Sequence, residues 1–204
     1  MVEAALVLPV LFLLIFGALD FGLLFRDDLT IANMTRVGGR AGSVAGNSAL
    51  ADYDLLTATA GAATALQGGI NEVNYVIVFD ADCVAGSGCD PSDAQSPPSA
   101  TVPAACLTAA SSGSAGVVGS CNIYSTKYLL SPSQGGYLTT TNFGCGTGVA
   151  DVDWCPTGRG VVTTQDDYLG LYVKLTHRMA TGFFGASKVL TDTVVYRLEP
   201  VAIS

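Results

Sequence analysis

Hydrophobic and polar positions divide the chain into an apolar start and a mixed remainder. Residues 4–19 contain no charged side chain, and the apolar character resumes after Asp20 and lasts to Phe25. A helix over residues 3–25 would be about 34 Å long at about 1.5 Å per residue, close to the hydrocarbon thickness of a bilayer, about 30 Å. The pattern therefore predicts a helix that can span a membrane.

The same helix is expected to continue well beyond the apolar segment. Apolar and small residues recur at three- and four-residue steps, which marks one helix face: Ile31, Met34, Gly38, Ala41 and Ala45. We therefore expect a single helix over about Glu3–Val44, apolar on all sides in its first half and amphipathic in its second. A cleaved signal peptide is disfavoured, because the apolar run exceeds the usual length of about 7–15 residues and no A-x-A-like site follows it.

Weaker patterns predict the elements that follow. Gly46 and Asn47 are typical of a helix end, and residues 52–66 show a second, alanine-rich helical pattern. Residues 74–79 are rich in valine, isoleucine and aromatic side chains, so they predict a strand. Residues 80–120 lack periodicity and are rich in glycine, serine, alanine and proline, so we expect a long loop region there.

The C-terminal part shows the clearest alternation of apolar and polar positions. One side of a predicted strand carries the apolar residues Leu169, Leu171, Val173 and Leu175. Residues 189–198 predict its partner strand after a turn at residues 182–185, and residues 122–128 predict a short third strand. These strands favour an antiparallel sheet.

The cysteines are confined to the region rich in glycine, serine and proline: Cys83, Cys89, Cys106, Cys121, Cys145 and Cys155. No pair has C-x-x-C spacing, so a zinc knuckle or a thioredoxin-type motif is disfavoured. An even number of cysteines in loops is typical of disulfides formed in an oxidising compartment. We therefore expect the part after the helix to face away from the cytoplasm. The pairing stays open, with Cys83 and Cys89 as the first candidate pair.

Together these patterns predict an α+β fold. A long helix over residues 1–45, with a membrane-spanning first half, would carry a head over residues 46–204. The head would be a small antiparallel sheet with disulfide-stapled loops.

Charge limits the functions that are compatible with the chain. The net charge is −8, and an acidic chain repels phosphate, so nucleic-acid binding is not expected. Acidic residues around Cys83 and Cys89 could hold Ca²⁺ through hard oxygen ligands: Asp80, Asp82, Asp90 and Asp93. Their spacing fits no EF-hand, so we favour solvated loop acids. Apart from this weak calcium candidate, we predict no metal site and no cofactor.

No motif predicts catalysis. The sequence lacks H-E-x-x-H, G-x-S-x-G and a P-loop. Its single histidine, His177, lies near the end of a predicted strand, where a structural or solvated role is favoured over a catalytic one. We therefore expect no enzyme. An anchored hydrolase that uses acidic residues such as Asp80 or Asp166 is the disfavoured alternative.

Three residues in the apolar segment are candidates for a function of their own. Glu3 stands at its start and Asp20 near its end, and a carboxylate within a bilayer usually has a partner or a function because its burial is unfavourable. The alternative for both is a solvated position at the membrane interface. Pro9 removes one backbone hydrogen bond, so it can kink or locally loosen the helix.

Several stretches of this sequence resemble one known family. A glutamate heads an apolar helix in residues 2–11, an acidic residue precedes Phe-Gly in residues 16–22, and an Asn…Arg-x-Gly stretch follows in residues 33–41. These stretches resemble the start of TadE-like pseudopilins of the tight-adherence (Tad) type IV pilus family. The resemblance is fairly specific over residues 2–42 and weaker beyond them, although residues 196–200 also look similar to some members.

The resemblance implies a type IV pilin-like fold and a role in filament assembly. A prepilin peptidase would cut after a glycine just ahead of the helix, and Glu3 would pair with the N-terminal amine of a neighbouring subunit. Such opposite charges attract strongly in a low dielectric and offset each other's burial. This chain departs from the pattern in Ala4, where the family has an aromatic residue, and in lacking a basic leader. We therefore expect residues upstream of Met1 to be missing or removed.

We thus expect a structural subunit of a Tad-like pilus or filament, either a major or a minor pilin, with Glu3, Pro9 and Asp20 as its assembly residues. Its helix would pack with copies of itself or with other pilins, and its head would face outward for adhesion or surface contact. The expected partners also include the pilus assembly machinery and, before assembly, the inner membrane, with the N-terminus inside and the head outside. After assembly the protein would be extracellular. The alternative is a monomeric, membrane-anchored extracytoplasmic binding module.

Overall fold

The computed structural model describes residues 2–82, 98–146, 150, 152–162, 165–166, 168–182 and 184–199. Helix α1 spans Val2–Ala45 and helix α2 spans Ala51–Ala63. Gly46, with φ of 56°, takes the left-handed conformation that commonly ends a helix. The predicted long first helix and the shorter second helix are both confirmed.

An antiparallel sheet follows the two helices. Among the described residues its strands are β1 (Val73–Asp80), β2 (Gly116–Val117), β3 (Cys121–Ser125), β6 (Tyr168–Arg178) and β7 (Ser187–Arg197). Their order across the sheet is β2-β3-β1-β6-β7. A small separate ribbon pairs β4 (Val161–Val162) with β5 (Gln165–Asp166). The predicted α+β fold is confirmed, and the third predicted strand ends at Ser125, where a 3₁₀ turn over Thr126–Leu129 begins.

The central strand β1 is buried on both faces, which explains its continuous apolar run. Val76 and Val78 point to the face that α1 and α2 cover, and Ile77 and Phe79 point to the opposite face. Phe79 stands opposite Gly170 on β6, where an added Cβ would lie 2.2 Å from the Phe79 ring. Glycine at this position therefore makes room for the aromatic side chain.

The second half of α1 belongs to the core of the head. Ile31 and Met34 are almost fully buried, and they lie in the same apolar cluster as Leu55 of α2 and Leu171 of β6. The alternating leucines and valine of β6 are all fully buried, as their pattern predicts. The sheet thus has α1 and α2 as one layer above it.

The layer below the sheet corrects one prediction. Residues 104–112, predicted as loop, form helix α3 (Ala104–Ser112). This helix has no side-chain cap at its N-terminus, and its alanines and serines give no clear apolar period. Its position is held instead by Cys106, which is fully buried and forms a disulfide with Cys121 at the start of β3.

A second disulfide joins Cys145 and Cys155. The predicted disulfide-stapled loops are therefore confirmed for the two described pairs. Cys83 and Cys89 lie outside the described residues, so their pairing stays a prediction.

A buried ion pair connects α2 with the loop that carries Arg159. Asp52 and Arg159 make two hydrogen bonds, of 2.6 and 2.9 Å, and both side chains are fully buried. Tyr124 and Asn122 of β3 also donate to Asp52, at 2.7 and 2.9 Å. The Arg159 guanidinium lies 4.1 Å from the centre of the Trp154 ring.

Candidate site for membrane insertion and assembly

Residues 7–15 of α1 project from the head as an exposed apolar segment. Side chains from residue 7 to residue 15 are all exposed, with Val7 and Leu14 each 63% accessible. We call residues 2–15 the apolar rod; at about 1.5 Å per residue it is about 21 Å long. Among the described residues, α1 is the one helix that is long and apolar enough to cross a membrane.

The head begins to cover the helix directly after the rod. Gly17 is buried against the turn between β6 and β7, where a Cβ on Gly17 would lie 3.4 Å from the Phe184 ring. The rings of Phe21 and Phe184 are 5.2 Å apart. The tip of the β6–β7 hairpin therefore reaches down to the base of the rod, and Phe184 itself stays 47% exposed.

From Asp20 towards the C-terminal end of α1, a series of buried polar residues joins the helix to the head. We call them the polar ladder: Asp20, Asp27, Thr35 and Ser43. They are spaced by seven or eight residues, which is about two helical turns, and each is at most 4% exposed. Each one hydrogen-bonds to a residue of the head, so the ladder sets the register of α1 against the sheet.

The two ladder residues nearer the N-terminus, Asp20 and Asp27, contact the head through their carboxylates. The Thr181 backbone N–H donates to Asp20 Oδ1 at 3.0 Å, and its hydroxyl donates to Asp20 Oδ2. Asp27 Oδ2 lies 2.6 Å from His177 Nδ1, and Asp27 Oδ1 accepts the Gln67 backbone N–H at 3.1 Å. A carboxylate in this part of the helix is therefore compensated by donors from the head.

The two ladder residues nearer the C-terminal end of α1, Thr35 and Ser43, contact the head through their hydroxyls. Thr35 donates to the Asp192 carboxylate on β7. Ser43 donates to the Arg197 carbonyl at 2.5 Å, and its own carbonyl accepts the Glu199 N–H at 3.0 Å. The end of α1 is thereby tied to the last strand.

The Asp20 contact should hold the hairpin tip against the helix. Replacing Asp20 with alanine removes the acceptor for both the amide and the hydroxyl of Thr181, so the tip should open more often. We expect faster hydrogen exchange of the Thr181 amide in the full chain in detergent micelles. Asp28→Ala, which changes the exposed carboxylate on the same helix, is the matched control and should leave that amide unchanged. Equal exchange in both variants would contradict a structural role for Asp20.

The structure places the predicted assembly residues at different depths. Pro9 is exposed within the rod, and Asp20 is buried at 1% exposure rather than solvated. The backbone of Glu3 is part of helix α1 within the rod, and its side chain is not among those that the structure describes. An assembly role for these three residues therefore stays a prediction.

The calcium candidate is described only in part. Asp80 accepts the Asp82 backbone N–H at 3.0 Å, and Asp82 accepts the Tyr168 backbone N–H at 3.1 Å. Asp90 and Asp93 lie outside the described residues. The calcium site therefore stays a prediction as well.

Sequence reasoning did not single out Asp27 or Glu72, which the fold brings to His177. One ligand atom from each of these three residues lies within 4.8 Å of the others. Burial raises the pKa of Glu72, and the negative charge of Asp27 raises it further. The only signal in the sequence was the lone histidine, because the three positions are far apart along the chain.

Comparison with known proteins supports the family resemblance of the N-terminal sequence. Residues 1–40 match the family model of TadE-like proteins. The chain begins with a TadE-like segment. This segment contains the apolar rod and the ladder residues Asp20, Asp27 and Thr35. No curated protein and no solved structure matches the chain.

The TadE-like segment relates the protein to Tad pili in general terms. The family is a structural, pilus-associated one, and an N-terminal apolar helix fits a membrane-anchored or pilus-surface protein.

Proposed function

We propose that this protein is a structural subunit of a Tad-type pilus or filament that assembles through the apolar rod. The observation that carries the proposal is the exposure of every side chain from residue 7 to residue 15 in a helix whose later part is buried in the head. Exposed apolar surface of this extent requires lipid or another protein to cover it. The TadE-like segment favours other pilins as the final cover.

Before assembly, the rod would lie in the cytoplasmic membrane with its N-terminus inside and the head outside. A rod of about 21 Å is shorter than a hydrocarbon core of about 30 Å, so the helix would enter to about Phe21. The hairpin tip with Phe184 would then lie at the membrane surface. Its contact with Asp20 would shield that carboxylate from lipid.

During assembly, rods of neighbouring subunits would pack together. Ala18 and Gly22 are exposed one helical turn apart, and a Cβ on Gly22 would meet nothing within 4 Å. Small residues at such positions allow close helix approach. Glu3 would pair with the N-terminal amine of a neighbour, as the resemblance implies, after processing by a prepilin peptidase and extraction by the pilus machinery. The head would face outward for adhesion or surface contact.

We also infer a structural rather than a catalytic role for the head. His177 is fully buried and paired with Asp27, which does not suit a general acid or base that must reach a substrate.

The assembly proposal is tested by replacing Glu3 with alanine or glutamine in cells that make the filament. Both variants should lose surface filaments, because each removes the charge that pairs with the neighbouring amine. The head should stay folded, as judged by intact disulfides and an unchanged melting temperature. Glu199→Gln, at an exposed position of the head, is the control and should assemble normally. Normal filaments from the Glu3 variants would refute the pairing role.

A helix exchange separates the filament from a membrane-anchored binding module. The exchange should be limited to residues 4–15, because Gly17 and Asp20 contact the head. An unrelated apolar helix at residues 4–15 should abolish filaments while the protein stays in the membrane. If the exchanged chain still forms filaments or keeps its full surface function, the rod acts only as a membrane tether.

A further inference from the structure

The junction between α1 and the head contains a closed cluster of three ionisable side chains. Asp27 comes from the middle of α1, Glu72 from the end of the 3₁₀ turn Gly69–Glu72 before β1, and His177 from the end of β6. One nitrogen of His177 and one oxygen of each carboxylate lie within 4.8 Å of one another. Segments distant in sequence thus converge on a single point.

The hydrogen bonds within this cluster are incomplete. Asp27 is satisfied by His177 Nδ1 and by the Gln67 backbone N–H, at 2.6 and 3.1 Å. His177 Nε2 and Glu72 Oε2 are buried and have no partner, although the two residues are only 0% and 9% exposed. Only one other buried side-chain atom in the described part of the chain, Arg159 Nε, shares this property. Two buried polar atoms without a hydrogen-bond partner in one cluster indicate that a bound group completes their interactions.

The charge of the cluster indicates the sign of that group. Two carboxylates and one imidazole are enclosed together, and the nearest contacts from the backbone, the N–H groups of Gly68 and Arg178, supply only partial positive charge to Glu72. A neutral imidazole offers a lone pair, and a carboxylate offers a full negative charge. A cation therefore suits the cluster better than a neutral or anionic ligand.

We propose that His177 and Glu72, with Asp27 behind the histidine ring, form a buried site for one divalent transition-metal ion, of which Zn²⁺ is the best fit. An imidazole nitrogen together with a carboxylate oxygen matches Zn²⁺ and its first-row neighbours, whereas Ca²⁺ and Mg²⁺ prefer oxygen ligands alone. His177 Nε2 and Glu72 Oε2, which have no hydrogen-bond partner, would be the atoms that bind the metal. Asp27, on the Nδ1 side, orients the ring in the manner usual for a metal-bound histidine.

The ion would fasten the helix to the head. Its two ligands come from the segment before β1 and from β6. Asp27 of α1 holds His177 Nδ1 at 2.6 Å, so a metal on the other ring nitrogen would strengthen the contact between the rod-bearing helix and the sheet. This role does not depend on the filament proposal, because it concerns the fold of a single subunit.

The test uses the full chain in detergent micelles, refolded after chelation because His177 is fully buried. Zn²⁺ should bind at about one equivalent per chain, and the melting temperature should rise by about 5–10 °C at a hundredfold excess over the dissociation constant. Ca²⁺ and Mg²⁺ at the same concentration should give no such shift. Metal content by mass spectrometry and thermal denaturation are the two readouts.

Variants distinguish this site from incidental binding elsewhere. Glu72→Gln should fold at least as well as the metal-free protein, because it removes a buried negative charge, yet it should lose the zinc-dependent shift. His177→Gln should lose it too, and Asp28→Asn, next to Asp27 but exposed, should keep it. The proposal is overturned if the parent protein shows no shift with Zn²⁺ or any first-row divalent ion. It is equally overturned if Glu72→Gln responds as the parent does.

Discussion

Replacing Asp52 with alanine should destabilise the head by about 3–5 kcal/mol, the usual effect of removing one partner from a buried ion pair. Arg159 is 2% exposed and would remain buried without its counter-charge. Tyr124 and Asn122 would lose the acceptor for their hydrogen bonds. Since a domain of this kind has a total stability of about 5–15 kcal/mol, this single change should remove a large share of it and lower the denaturation midpoint clearly.

Trp154 makes this effect directly measurable. It is the single tryptophan of the chain, and it stacks on Arg159, so its fluorescence during chemical denaturation reports on the network itself. Asp54→Ala, also in the first turn of α2 but exposed, is the control and should change stability by no more than about 0.5 kcal/mol. If Asp52→Ala and Asp54→Ala unfold at the same denaturant concentration, the ion pair does not stabilise the fold as we expect.

The elements that could be predicted from the sequence are those with strong periodicity. The three- and four-residue apolar period that includes Ile31 and Met34 in α1, and the alternation of Leu169 and Leu171 in β6, each arise because one side of the element is buried. Helix α3 could not be predicted in this way, because its short alanine and serine sequence has no distinct apolar face. A disulfide from Cys106 to Cys121 holds it, and pairing cannot be read from spacing alone.

The polar ladder was hidden from the sequence for a different reason. Asp27 and His177 are 150 positions apart, and Asp20 and Thr181 are 161 positions apart. A polar residue on a helix face shows no sign of being buried unless its partner is known. The sequence left open whether Asp20 has a partner or is solvated at the membrane interface, and it could not indicate a partner in the same chain.

The close fit of α1 against the head depends on glycines within its second half. A Cβ on Gly38 would lie 2.0 Å from Thr59 Oγ1 and 2.9 Å from Leu171 Cδ2. Gly39 and Gly42 have similarly close neighbours, at 2.7 Å. The resemblance in residues 33–41 therefore covers a surface at which the helix contacts both α2 and the sheet. The apolar period located this face, but only the structure shows that no side chain fits there.

Replacing Gly38 with valine should therefore destabilise the protein by about 3 kcal/mol, at the upper end of the usual range for overpacking a core. Thr59 and Leu171 are both fully buried, so neither can move aside without disturbing the core. The rod-bearing helix should shift away from α2, and denaturation followed by Trp154 fluorescence should show a lower midpoint.

The same substitution at Gly61 provides the matched control. Gly61 lies on the exposed face of α2, where a Cβ would meet nothing within 4 Å. Valine is a slightly better helix former than glycine, so Gly61→Val should change stability by no more than about 0.5 kcal/mol. Equal midpoints for the two variants would show that α1 does not depend on close glycine contacts, and that the ladder alone positions it. A large difference would show that packing at Gly38 and hydrogen bonds along the ladder act together to hold the rod in a fixed direction relative to the head.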